Sequence, residues 1–203
     1  YPDGTPTKRS YSLAGQRADI SVAAPLIEFA ASFVPGGAAS ALLQGLPEGG
    51  VLEASGPYGR FCLQPGERNA RTLLIATGTG VTPYRAMLPQ LAQRMASDGL
   101  QVVLLQGART QAELLYHADF LAFAARHPGF RYLPCVSRQW PVDVPGASQG
   151  HVQSLLPGLA LDPEGDIAYV CGNPLMVDAV FEALRAAGLR MAAIRREKYV
   201  SLK

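Results

Sequence analysis

Leu73 to Leu88 reads LLIATGTGVTPYRAML. Leu73, Leu74, Ile75 and Ala76 form a continuous apolar run, the pattern of a parallel strand covered on both faces. Thr77-Gly78-Thr79-Gly80 breaks it. Pro83 suits the first turn of a helix, where a missing N–H costs nothing, and Tyr84, Met87, Leu88 and Leu91 follow at helical spacing. Strand, glycine turn and helix N-terminus in succession make an anion cradle, because glycines let a ligand approach the backbone and the free N–H groups of the first turn favour phosphate. The same order occurs at any strand-to-helix turn of an α/β domain, so this stretch alone leaves phosphate binding and a plain turn both open.

Toward the C-terminus, strands alternate with helical patterns, the signature of βαβ units and a mostly parallel sheet. Strand 73–76 precedes a helix over 83–97, and QVVLLQ at 101–106 is a second strand followed by a helix from about Glu113 to His127. A third strand runs from Arg131 to Val136 and a Pro- and Gly-rich loop leads to Gly150. Residues 151–156 form a short helix, 166–170 a fourth strand, 175–187 a helix and 192–200 a closing strand. Ligands of such sheets bind outside the carboxyl ends of the strands. That rule collects Thr77–Thr82, Gly107–Arg109, Ser137, Arg138 and Cys171–Pro174 along one rim. Two arginines at successive strand ends, Arg109 and Arg138, offer forked donors to a ribose phosphate; the alternative is solvated surface charge.

Toward the N-terminus the pattern changes at Pro65-Gly66-Glu67-Arg68-Asn69, which divides a strand-rich part, 1–66, from the α/β part, 67–203. Tyr1 to Lys8 is a turn-rich lead-in. Arg9-Ser10-Tyr11-Ser12-Leu13 alternates, with Arg9, Tyr11 and Leu13 on one face. An arginine beside a tyrosine reads either as a phosphate fork next to an aromatic platform or as an edge strand with a snorkelling Arg. Glu28 to Val34 is expected to be a strand ended by Pro35-Gly36-Gly37. Ala38, Ala39 and Ser40 open a short helix, a second anion site or a helix capped for stability alone. Val51 to Ala54 reads as a further strand, between turns at 46–50 and 56–59.

Composition bounds the function. The chain has 203 residues, 48% hydrophobic and 17% charged, which is ordinary for a globular protein with a real core. Its 18 basic and 16 acidic residues leave a net charge of +2, too balanced for a nucleic-acid footprint. No apolar run approaches a membrane span and nothing at the N-terminus reads as a signal peptide, so a soluble, cytoplasmic protein is expected. Cys62, Cys135 and Cys171 are too few and too dispersed for a disulfide framework or a four-thiolate iron–sulfur cluster.

RSYS at 9–12, GGAAS at 36–40, GPYG at 56–59, GTGVTP at 78–83, GAR with ELLY at 107–116, VSR at 136–138 and CGNPLM at 171–176 occur in the order found in the ferredoxin–NADP reductase family. The chain resembles that family over nearly its whole length, and GAR with ELLY and VSR look most like the bacterial ferredoxin or flavodoxin reductases. The resemblance implies a partial antiparallel flavin-binding β-barrel followed by a Rossmann-like parallel α/β nucleotide domain, with FAD and NADP(H) as cofactors and ferredoxin or flavodoxin as partner. By the same resemblance, Arg9 meets the flavin diphosphate, Tyr11 lies against the isoalloxazine and Ser12 sits beside its N5. Ala38, Ala39 and Ser40 match a second diphosphate contact. Gly78, Thr79, Gly80 and Pro83 hold the nucleotide diphosphate, while Ser137, Arg138 and Arg109 face the adenosine 2′-phosphate. Cys171, followed by Gly172, Asn173 and Pro174, corresponds to the cysteine near the nicotinamide. Glu197 and Tyr199 resemble the Glu-x-aromatic ending whose carboxylate lies near the flavin and whose ring covers it. Ser12, Cys171 and Glu197 are therefore the expected catalytic set.

The family implies hydride transfer from nicotinamide to flavin and release of single electrons, with the protein supplying orientation and electrostatics. An NADH-dependent reductase component of an oxygenase is the close rival, and a non-catalytic flavin- or nucleotide-binding subunit is the rival of another class. Three features depart from the family. Only eight residues precede RSYS where the barrel ordinarily has several strands, so further chain is expected upstream. His151 stands where bacterial relatives often carry Arg or Lys. Val200–Lys203 extend past Tyr199, which would then have to move for nicotinamide to stack.

Overall fold

The apolar run at 73–76 lies in the middle of a six-stranded sheet. In the computed structural model, which describes residues 8–17, 26–138, 144 and 146–200, this sheet is parallel throughout, with β3 (Arg71–Thr77), β4 (Gln101–Ala108), β5 (Phe130–Val136), β6 (Ser148–Gln149), β7 (Asp166–Gly172) and β8 (Ile194–Lys198) ordered β6-β5-β4-β3-β7-β8. A two-stranded antiparallel sheet, β1 (Leu13–Arg17) against β2 (Leu26–Phe29), and a helix α1 (Ala38–Gly45) precede it.

Thr72 to Ala76 are fully buried because each face of β3 is covered. On one side Leu74 and Ala76 pack with Tyr84, Leu91, Leu104 and Phe120, drawn from β4, α2 (Thr82–Asp98) and α3 (His117–Arg126). On the other, Leu73 and Ile75 meet Val180 and Leu184 of α4 (Pro174–Ala186) and Leu156 and Leu159 of a 3-10 segment, Val152–Leu159. A strand covered twice has no polar face to alternate, which is why its middle, Leu73–Ala76, is uniformly apolar.

Strand order places the ligand crevice. The chain enters at β3, steps through β4 and β5 to β6, then returns to β7 on the other side of β3. The carboxyl ends of β3 and β7 therefore diverge in connection at a topological switch point. Tyr84 clips these two strands together there, its buried hydroxyl lying 3.0 Å from the Ile75 carbonyl and 2.8 Å from that of Tyr169. At the opposite end Arg71 forks onto Asp166, Nε to Oδ1 at 2.8 Å and Nη2 to Oδ2 at 2.6 Å. The segment leading into β3 is sealed to the sheet by Glu67, which accepts the Tyr169 hydroxyl at 2.8 Å and pairs with Arg195 at 2.6 Å.

Apart from the start of α3 and the 3-10 form of the segment at 152–159, the α/β elements fall close to where the sequence puts them, with a short extra strand, β6, at one edge. Four local expectations are corrected. Arg9–Ser12 is not a strand: regular pairing begins only at Leu13, and alternation reports side-chain direction without supplying a partner. The strand expected over 28–34 stops at Phe29, where its pairing with β1 ends. No strand forms at 51–54, which is exposed and unpaired in any sheet. The helix expected from Glu113 begins at His117 instead, after a 3-10 turn at Gln111–Glu113, because Tyr116 adopts a left-handed conformation with φ 57°. The lead-in through residue 7, residues 139–143 and 145 of the Pro- and Gly-rich loop, and the tail 201–203 lie outside the described residues. Among the described residues no helix is long and apolar enough to cross a membrane.

Candidate functional site

The GTGVTP stretch leaves β3 as a 3-10 turn, Gly78–Val81, and enters α2 with Pro83 in the first turn. No side chain caps this helix start, although the Thr82 N–H is taken by the Thr79 carbonyl of the 3-10 turn. Gly78 has φ +56° and open space where a Cβ would stand. Gly80 is needed for another reason: a Cβ there would come within 2.4 Å of the Cys171 carbonyl oxygen, because the turn lies directly on the end of β7. Thr82 is buried and its Oγ1 has no hydrogen-bond partner. An uncapped helix start, an open left-handed glycine and an orphaned hydroxyl together fit a dinucleotide diphosphate.

Cys171-Gly172-Asn173-Pro174 forms the facing wall. Asn173 caps α4, its Oδ1 accepting from the N–H of Leu175 at 2.9 Å, and Pro174 is the first helical residue. The backbone N–H of Asn173 donates to the Thr77 hydroxyl at 3.1 Å, and Gly172 packs so tightly on Thr77 that a Cβ would meet its carbonyl oxygen at 2.5 Å. Thr77, expected on the rim but without a role there, is thus the pin between the two turns. The Cys171 thiol is buried, and burial pushes it up to about 12. It is a neutral group at physiological pH.

Farther along the rim, Ser137 and Arg138 continue the ladder beyond β5. The Ser137 N–H donates to Ala108 O at 3.0 Å and the Arg138 N–H to Arg109 O at 2.8 Å, so both arginines leave from one patch of backbone. The Arg109 guanidinium turns back onto Glu113, 3.0 Å away, with 63% of its side chain exposed. Burial raises the Glu113 carboxyl, but hydrogen bonds from Arg109 outweigh it and leave the group lowered.

The N-terminal residues reach the same crevice. The Tyr199 hydroxyl donates to Ser12 Oγ across the two sheets and also contacts the Cys171 thiol, while the Tyr199 N–H is held by Gly172 O at 2.9 Å. Glu197 stands beside Cys171 in the β7–β8 register. Burial raises its carboxyl above the ordinary glutamate range. Ser12, Cys171, Glu197 and Tyr199 are therefore brought together from residues up to 187 positions apart. Tyr11 offers an exposed ring tilted against Phe29, with centroids 5.0 Å apart. Arg9 lies at the same end of β1, its Nη1 donating to the Lys8 carbonyl. Ala38, Ala39 and Ser40 open α1, which has no side-chain cap; the Ser40 oxygen instead accepts from the Val34 N–H at 2.8 Å, leaving its hydroxyl hydrogen to donate. His151 is exposed just before the 3-10 segment at 152–159.

Residues 74–182 match the model of the oxidoreductase NAD-binding domain. Ferredoxin–NADP reductase B of Sorangium cellulosum (strain So ce56) is 35% identical over 202 residues, covering 97% of this chain and 80% of that protein. The chain belongs to the ferredoxin–NADP reductase family. Toluate 1,2-dioxygenase electron transfer component of Pseudomonas putida is 34% identical, with 98% of this chain and 56% of that protein covered. The crystal structure of the cytochrome P450 reductase GcoB of Amycolatopsis superposes with a TM-score of 0.77 at 30% identity, covering 96% of this chain and 57% of that one. The chain thus spans four-fifths of the first relative and little more than half of the other two. Membership in the ferredoxin–NADP reductase family makes this an oxidoreductase chain, and the antiparallel pair followed by a parallel α/β sheet is the fold of the family.

Proposed function

We propose that this chain is the core of a flavoprotein that moves electrons between NADP(H) and ferredoxin or flavodoxin, with residues 1–66 toward FAD and 67–203 toward the nucleotide. The observation that carries this reading is the hydrogen bond from Tyr199 to Ser12 above Cys171, which joins the flavin-side motif to the nicotinamide end of the rim. Bound flavin would supply hydride acceptance and release of single electrons.

The protein's own part is to bind, orient and manage protons. The N-terminus of α2 with Gly78, Thr79, Gly80 and Pro83 takes the nucleotide diphosphate, and Gly172–Pro174 walls the nicotinamide. Ser137, Arg138 and Arg109 take the 2′-phosphate, for which planar forked donors are suited. Arg9 takes the flavin diphosphate, with Ala38, Ala39 and Ser40 as second contacts, and Tyr11 lies against the ring. Ser12 donates or accepts at the flavin N5 position, and Glu197, which keeps its proton to higher pH than an exposed glutamate, can return one there. Cys171, held neutral, is a small packing surface beside the nicotinamide rather than a nucleophile. Tyr199 covers the ring and must swing aside for nicotinamide to stack.

The exposed ion pair of Arg109 with Glu113 favours a second reading, an NADH-dependent reductase component of an oxygenase, because it leaves Arg138 to hold a 2′-phosphate without that guanidinium. Stopped-flow reduction of the purified protein decides. A yellow protein that bleaches faster with NADPH than NADH, and whose preference collapses about tenfold or more in Arg138→Ala, supports the first reading, since charge-assisted phosphate contacts carry roughly 1.5–3 kcal/mol. An NADH preference that survives Arg138→Ala overturns the NADP assignment. A colourless protein that takes up no flavin overturns both and leaves a nucleotide-binding subunit.

A further inference from the structure

We infer that Arg85 is a positioning residue that sets the flavin-side segment Arg9–Ser12 against the nucleotide rim, through a bracket with Glu28, Tyr116 and Asp119. The inference deepens the proposed reductase reading and rests on it.

Arg85 leaves the first turn of α2, two residues after GTGVTP ends at Pro83. Its Nη1 donates to the Ala14 carbonyl of β1 at 3.2 Å and to Glu28 Oε2 of β2 at 2.9 Å, while its Nε donates to Asp119 Oδ2 of α3 at 2.5 Å. Its guanidinium carbon lies 4.7 Å from the centroid of the Tyr116 ring, and Tyr116 in turn hydrogen-bonds Glu28. One planar cation thus joins the antiparallel pair to two helices of the nucleotide half. A lysine, with a point charge and no fork, cannot span the three. Residue 15, next to Ala14, is glycine, and a Cβ there would stand 3.2 Å from Arg85 Nη1, tighter than an ordinary contact.

Ala14 follows Ser12 by two residues. Residues 12–14 are therefore fixed from two sides, by Arg85 at the Ala14 carbonyl and by Tyr199 at the Ser12 hydroxyl. Without Arg85 the β1–β2 pair is free to slide on α2, while the six-stranded sheet, whose core lies elsewhere, is undisturbed. Hydride transfer is steeply sensitive to such displacement, whereas nucleotide binding, made by the rim, is not.

The test compares wild type with Arg85→Ala, Arg85→Lys and Glu28→Gln in the intact flavin-containing protein. At saturating nicotinamide nucleotide, Arg85→Ala is expected to reduce flavin about 10- to 100-fold more slowly, with nucleotide Kd changed less than about threefold. Arg85→Lys recovers part of the rate. Glu28→Gln, which keeps the Ala14 and Asp119 contacts, loses less and serves if Arg85→Ala does not fold. Amide hydrogen exchange at 10–16 speeds up in Arg85→Ala while that at 101–108 is unchanged. A saturating rate within about twofold of wild type, or a loss confined to Kd, overturns the inference, as does unchanged exchange at 10–16. If wild-type flavin is reduced by neither nucleotide, the reductase reading falls, and the exchange comparison alone decides the bracket.

Discussion

Between Arg71 and Tyr199 large apolar side chains fill both faces of a parallel sheet, whereas among the described residues before Leu63 only Ala14 and Gly37 are buried. Tyr11, Leu26, Ile27, Phe29, Phe33, Leu42, Val51, Leu52 and Tyr58 are all exposed in that first region. The nucleotide half holds itself by a shared core. The flavin-side half joins that core only at its end, through Phe61 and Leu63; its earlier residues are held to their neighbour by polar contacts, Arg85 to Ala14 and Glu28, and Tyr199 to Ser12. Geometry is therefore robust in the nucleotide half and hangs on single residues in much of the flavin-side half.

Matched leucines in the two halves differ most. Leu91 is fully buried on the α2 face, whereas Leu42 of α1 is 55% exposed. Leu91→Ala is expected to destabilise by about 3 kcal/mol through lost burial and a residual cavity. At about 2–4 °C per kcal/mol for a chain of this size, thermal unfolding of the 203-residue chain should move down by roughly 6–12 °C. Leu42→Ala should stay within about 0.5 kcal/mol of wild type. Equal losses would mean that the first half has a core of its own. Gly80→Ala comes next: its Cβ would meet the Cys171 backbone, which cannot rotate away, so about 2–3 kcal/mol should be lost in a denaturant titration. Nucleotide affinity should fall with it, because the same turn carries both the core contact and the N-terminus of α2.

The same contrast explains what the sequence made legible. LLIA at 73–76 could be recognised because double burial leaves a continuous apolar run, and GTGVTP because glycine and proline report backbone conformation directly. The rim followed from the rule about carboxyl ends, which the parallel pairing of β3, β4, β5 and β7 brings to one edge of the sheet. RSYSL misled, since its alternation is set by what its side chains face while a strand exists only where another strand pairs with it. Val51–Ala54 failed for the same reason. The late start of α3 was hidden in the left-handed Tyr116, a conformation that a helical pattern cannot reveal. The Arg85 bracket was invisible because its partners lie as far as 71 residues away and no local spacing links them.

The smallest expected effect lies on the rim, where Arg109 and Glu113 meet in water rather than in a core. Glu113 accepts from the Arg109 backbone N–H at 3.1 Å as well as pairing with its guanidinium, so the carboxylate is a local competitor for the cation that would meet a 2′-phosphate. An exposed pair of this kind contributes about 0–1 kcal/mol, so Glu113→Gln should tighten NADP+ binding by no more than about fivefold. The gain should be confined to the phosphorylated nucleotide, leaving NAD+ affinity unchanged, and it should shrink as salt is raised because the charges involved are screened. Titration of both nucleotides at two ionic strengths reads all three features. If NAD+ tightens equally, Glu113 acts on the shape of the loop rather than on charge, and the rim would then resemble the flavin-side half, where one polar contact sets the position of a whole segment.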